Sequence, residues 1–88
     1  MNTCNESLEQ WRRRYARILG QCVQRRRKAL RLTQVQLAHQ SKLARSEVQF
    51  IEGGNRRPKQ ETLEMLCSGL GGIMTEELTL EVRRLMAV

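Results

Sequence analysis

Aspartate is absent from this chain, and His39 is its only histidine. No serine or cysteine stands in a nucleophile motif, so the acid, base and nucleophile combinations of hydrolytic catalysis have little to draw on. The expectation is a protein that is not an enzyme. Cysteine is scarce too: Cys4, Cys22 and Cys67 are odd in number, far apart and without a Cys-x-x-Cys pair. That spacing argues against a disulfide framework and against a zinc site, and leaves buried or idle thiols. No metal and no cofactor are expected. The aromatic residues are Trp11, Tyr15 and Phe50 alone, so the core has to be aliphatic, which suits packed helices. No apolar run approaches the roughly 20 residues that span a bilayer, and the N-terminus lacks the short apolar stretch of a signal peptide. A cytoplasmic protein is expected.

What the chain has in excess is positive charge, +7 over 88 residues. Between Gln10 and Gln60, fourteen lysines and arginines stand against only Glu47 and Glu52, whereas from Glu61 onward Arg83 and Arg84 meet five glutamates. The basic part is a candidate polyanion surface, because neutralised phosphates release counterions and give affinity irrespective of sequence. The plainer reading is a solvated face that maintains solubility. A chain this short has room for one domain with one small core, and no repeat or low-complexity linker marks a second.

Apolar spacing divides the chain into helices. From Glu6 onward, Leu8, Trp11, Tyr15, Ile18 and Cys22 recur at steps of three and four, a seam along one side of a helix that Ser7 or Asn5 can cap. Arg12, Arg13, Arg14 and Arg17 fall on its other faces. Trp11 and Tyr15 are expected to fold back on the core, with a subunit contact or a membrane-surface helix as alternatives. Residues 19–30 form the next helical pattern, with Leu19 and Val23 inward and a bend possible at Gly20. Thr33 is an N-cap whose capping box is closed by Gln36. Leu37 and Ala38, then Leu43, Val48 and Ile51 after a tight turn at residues 41–43, set inner faces on two short helices. Arg45, Ser46, Glu47, Gln49 and Phe50 are left outside. Gly53 and Gly54 end that helix, and residues 61–70 form another with Leu63, Leu66 and Leu70 inward. Thr75 can cap a last helix, with Glu76 and Glu77 in its first turn and Arg83 and Arg84 near its end, the charge order that complements the dipole. Leu78, Val82, Leu85 and Met86 line one side of it, the expected dimer seam, with intramolecular packing as the alternative.

The joint spacing of Leu32-Thr33-Gln34, Leu37-Ala38, Leu43, Arg45-Ser46, Val48, Ile51-Glu52, Gly54, Pro58, Glu61-Thr62-Leu63, Leu66 and Leu70-Gly71 resembles the Cro and phage-repressor type of helix-turn-helix, the XRE-like family. The resemblance covers residues 19–78. It implies an all-α fold, a compact five-helix lambda-repressor-like DNA-binding domain at residues 19–74. A helical extension at 1–18 precedes this domain, and a C-terminal dimerisation helix at 75–88 follows it. The second and third family helices form the DNA-reading unit. By resemblance Arg45, Ser46 and Gln49 read base edges. Phe50 touches a thymine methyl or packs against the loop, and Glu47 serves cytosine or, more simply, the helix start. Gln34, Thr33, Lys42, Arg56, Arg57 and Lys59 are the phosphate candidates, and Arg27 pairs with Glu52. Three departures stand out. Arg31 and Lys42 occupy positions where the family often has glycine at φ > 0, Ala44 replaces a common serine cap, and Arg26 falls where an aliphatic is usual. The implied function is a homodimeric, sequence-specific regulator of transcription bound to double-stranded DNA in the major groove, with no membrane partner. Alternatives are an antitoxin or a restriction-modification controller of the same fold, or a protein-interaction module without DNA binding.

Overall fold

The structure is a computed structural model that describes residues 6–87; Cys4 and the capping candidate Asn5 lie outside the described residues. Ser7 starts the first helix. Its hydroxyl accepts from the Gln10 amide at 3.1 Å, and the Gln10 side chain accepts from the Ser7 amide at 2.9 Å, so two amides of the opening turn are satisfied reciprocally. From this cap α1 runs over Leu8–Ala29 without interruption. The extension and the first family helix are therefore one rod, about 33 Å long at 1.5 Å per residue, and it accounts for a molecule extending 40 × 21 × 21 Å. Four shorter helices follow: α2 at Gln34–Ser41, α3 at Arg45–Glu52, α4 at Gln60–Gly69 and α5 at Thr75–Met86. There is no strand among the described residues. Helix α5 begins one residue after Met74, so Thr75 is its first residue and not its cap.

Helix α1 lies on α3 and α5, while α2 sits against α3 and α4. The core they enclose is aliphatic as expected, built from Leu19, Val23, Leu37, Val48, Leu63, Leu66 and their neighbours, with Tyr15 buried at its edge and Trp11 packed beside it. Both aromatics of the extension thus fold back on the chain's own core. Cys22 and Cys67 are buried thiols. Burial pushes Cys67 up to about 11 and raises Cys22 as well.

Gly20 has a use other than a bend. A Cβ there would stand 2.4 Å from the Ile51 carbonyl oxygen and 2.7 Å from that of Glu52, so its lack of a side chain lets α1 touch the backbone at the end of α3.

Four helix ends close alike. The Leu32 amide donates to the Arg27 carbonyl, Leu43 to Ala38, Asn55 to Phe50 and Gly72 to Cys67, at 2.9 to 3.1 Å. Each bond spans a residue in the left-handed region: Arg31 and Lys42, both at φ 59°, Gly54 at 72° and Gly71 at 90°. This is the Schellman closure that glycine normally permits. Arg31 and Lys42 hold it without glycine, at a cost of about 1 kcal/mol or more each.

Helix α5 carries the expected dimer seam, and two of that seam's four residues face inward. Leu78 and Val82 are fully buried in the chain's own core, so they are not available to a second copy. Helix α1 also holds α5 by charge. Arg26 pairs with Glu81 at 2.8 Å and reaches Glu77 at 3.7 Å, and Arg25 approaches Glu81 at 3.6 Å. Arg26 is thus neither buried like an aliphatic nor simply solvated. Nearer the N-terminus Arg14 binds Glu6 through two hydrogen bonds and donates a third to the Met86 carbonyl, an acceptor that the end of α5 leaves without a helical partner. The Arg14 hydrogen bond holds the Glu6 carboxyl below its ordinary value.

Candidate nucleic-acid interface

Thr33 fixes where α2 begins. Its hydroxyl oxygen accepts from the Gln36 amide at 3.1 Å, and Gln36 returns a bond to the Thr33 amide at 2.8 Å. Thr33 itself is exposed. After the turn at Lys42, Ala44 has no oxygen with which to cap α3. The Glu47 carboxylate accepts from the Ala44 amide at 3.2 Å, so Glu47 supports the helix start, the role its third position suggested. Val48 and Ile51 bury the inner side of α3. Its outer side carries Arg45, Ser46, Gln49 and Phe50, all exposed along with Glu47.

The end of α3 is locked to α1 through a buried pair. Arg27 binds the Glu52 carboxylate in two places, at 2.6 and 3.0 Å, and gives a third hydrogen bond to the Leu32 carbonyl at 2.8 Å. Both side chains are nearly closed to solvent, at 9 % and 3 % exposure. The Gln34 amide joins them, donating to Glu52 at 3.0 Å. Gln34, expected to offer that amide to a phosphate, here directs it inward.

The loop after α3 is held by stacking. The Arg56 guanidinium lies over the Phe50 ring at 5.4 Å from its centroid, and that of Arg57 over Tyr15 at 4.8 Å, distances at which the ring face attracts a cation. Phe50, with 47 % of its surface exposed, therefore points outward and carries Arg56 on its face. Gly54 lies close against α1, where a Cβ would come within 2.8 Å of the Arg17 Cα. Lys42 and Lys59 are exposed, and Lys59 lines a pocket with Phe50 and Arg56. No group of histidine, cysteine or acidic side chains able to hold a metal occurs among the described residues.

Residues 18–80 match the family described as the helix-turn-helix domain. The chain belongs to the helix-turn-helix family. No curated protein and no solved structure matches it. Membership gives this helix-turn-helix protein DNA as its partner class and a regulatory role, in a family that is typically not enzymatic. No helix among its described residues is long and apolar enough to cross a membrane.

The structure adds residues that the pattern alone did not supply. Tyr15 is the stacking platform for Arg57, and Glu81 is the partner of Arg26, 55 residues away. For Tyr15 the signal was indirect: an aromatic residue in an arginine-rich helix, with a second arginine cluster after α3. Nothing near Arg26 in the sequence points to Glu81.

Proposed function

We propose that the chain is a sequence-specific, double-stranded DNA-binding regulator of transcription that acts as a homodimer on a two-fold related operator. The observation that carries this reading is the outer face of α3, where Arg45, Ser46, Gln49 and Phe50 are exposed together while Val48 and Ile51 fix the opposite face in the core. The Arg45 guanidinium can donate two hydrogen bonds to guanine O6 and N7, the Gln49 amide matches the N6 and N7 edge of adenine, and Phe50 offers apolar contact to a thymine methyl. Ser46 serves a base or a phosphate. Glu47 stays with the Ala44 amide. Thr33, Lys42, Arg56, Arg57 and Lys59 surround this face as phosphate contacts that set its register. Gln34 joins them when its amide leaves Glu52.

Helix α3 has eight residues, about 12 Å of helix, too short to read more than a few base pairs. A second copy one turn of DNA away, about 10 base pairs between centres, supplies the remaining specificity. Of the seam expected on α5, Leu85 is exposed, and Met86 lines an open groove with Leu8 and Trp11. We place the contact between copies there.

Selection of bound duplexes from a random pool tests the reading directly. It should return a palindrome with half-sites one turn apart. Arg45→Ala should cost about 1–3 kcal/mol and relax one base position, whereas Arg56→Ala should weaken all sequences alike. Unchanged affinity and unchanged base preference in Arg45→Ala would remove Arg45 from the reading face.

A further inference from the structure

Upstream of the family match, the first turns of α1 form a second cationic surface, continuous with the loop that follows α3. An open groove brings Arg12 and Arg13 of α1 together with Asn55, Arg56 and Arg57 of the loop, and Glu9 is the one acidic residue lining it. Glu9 is occupied by Arg13 at 2.7 Å, in a pair about three-quarters exposed. No ion pair engages Arg12, Arg17, Arg56 or Arg57 among the described residues. Like charges gathered in this way repel one another in the folded chain, and a polyanion relieves that repulsion.

The groove is built, not incidental. Gly54 lets the loop press against α1 at Arg17, and Tyr15 of α1 carries Arg57 on its ring, while Phe50 of α3 carries Arg56. The cationic path therefore starts on the reading helix, crosses the loop and continues onto the N-terminal part of α1. Family membership begins at residue 18, so it assigns nothing to Arg12 or Arg13.

We propose that the N-terminal part of α1 is a second DNA-contacting element, in which Arg12 and Arg13, beside Arg56 and Arg57, take the phosphates of duplex flanking the half-site read by α3. This rests on the DNA-binding reading above and adds a sequence-independent contact outside the operator core. A duplex has one negative charge per about 1.7 Å of axis, and each phosphate neutralised adds about 0.9 to the slope of log affinity against log salt.

The test uses the full chain, the Arg12→Gln/Arg13→Gln variant and the Glu9→Gln variant. Each is titrated with the selected operator in two lengths, one ending at the half-sites and one extended by about 10 base pairs, roughly one turn, on each side. The native chain should bind the longer duplex more tightly at low salt. The double variant should lose that gain, and its salt slope should fall by about 2 per subunit with the selected half-site unchanged. Glu9→Gln should strengthen binding to the longer duplex. Equal affinity of the native chain for both lengths, or an unaltered slope in the double variant, would overturn the proposal and leave the reading by α3 intact. Competition by duplex RNA as strong as by the extended DNA would also overturn it, in favour of a general polyanion surface. Failure of the native chain to bind either duplex would overturn both readings together.

Discussion

Glu52 occupies the point where three parts of the chain converge: the Arg27 guanidinium from α1, the Gln34 amide from the start of α2, and its own place at the end of the reading helix. Removing one charge strands the other in a nearly closed site. Glu52→Gln or Arg27→Met should therefore cost about 3–5 kcal/mol, while an apolar replacement of both partners should recover most of that loss. Urea unfolding of the two single variants and the double variant checks this, and additive losses would mean that the charges act independently. Gly20 contributes at the same junction through contact with backbone. Gly20→Ala gains helix propensity worth up to about 1 kcal/mol, yet its Cβ would meet the Ile51 carbonyl at 2.4 Å. Two backbones cannot yield as a flexible side chain does, so the variant should be less stable by about 1–3 kcal/mol. It should also bind DNA more weakly, because the shift falls on α3. A rise in thermal midpoint would show that α1 and α3 can separate without cost.

At the scale of elements, what the sequence discloses is local. The left-handed turns at Arg31 and Lys42 were legible only through resemblance to a family that often has glycine there, whereas Thr33 and Gln36 form their capping box within four residues, so the cap could be read directly. The inner faces of α2 and α3 follow from spacing for the same reason. Two things were not legible. An apolar stripe such as Leu78, Val82, Leu85 and Met86 states only that one side of a helix is to be covered, and the same pattern serves the chain's own core or a second copy. Burial of Leu78 and Val82 decides for the core. The partner of Arg26 was hidden because sequence separation carries no distance information once a chain folds back on itself. The shared geometry of the helix ends yields a test of the element itself: Arg31→Gly keeps the Leu32 to Arg27 bond and removes the Cβ clash, so stability should rise by about 1 kcal/mol. Thermal unfolding checks it, and a loss of stability would mean that the Arg31 side chain holds the turn by contacts that outweigh its strain.

For the whole molecule, the basic surface and the small aliphatic core make opposite demands. The arginines repel one another over α1, the loop and α3, while cohesion comes from a core in which Cys22 and Cys67 serve as small apolar groups. That role has a consequence at high pH. Burial raises the Cys67 thiol from an ordinary value of 9.0 to about 11 and moves Cys22 in the same direction. The unfolded chain releases these protons near the ordinary value, but the folded chain still holds them. Stability from this source is therefore complete below pH 9.0 and is lost as pH rises toward about 11, the unfolded state having fewer bound protons throughout that window. Urea midpoints should be flat from neutral pH up to the ordinary thiol value of 9.0 and decline above it. A Cys22→Ala/Cys67→Ala variant should be less stable throughout, because it leaves cavities, but should decline less steeply in the alkaline window. If its midpoint falls as fast as that of the native chain, the alkaline loss does not come from thiols forced to ionise in the core.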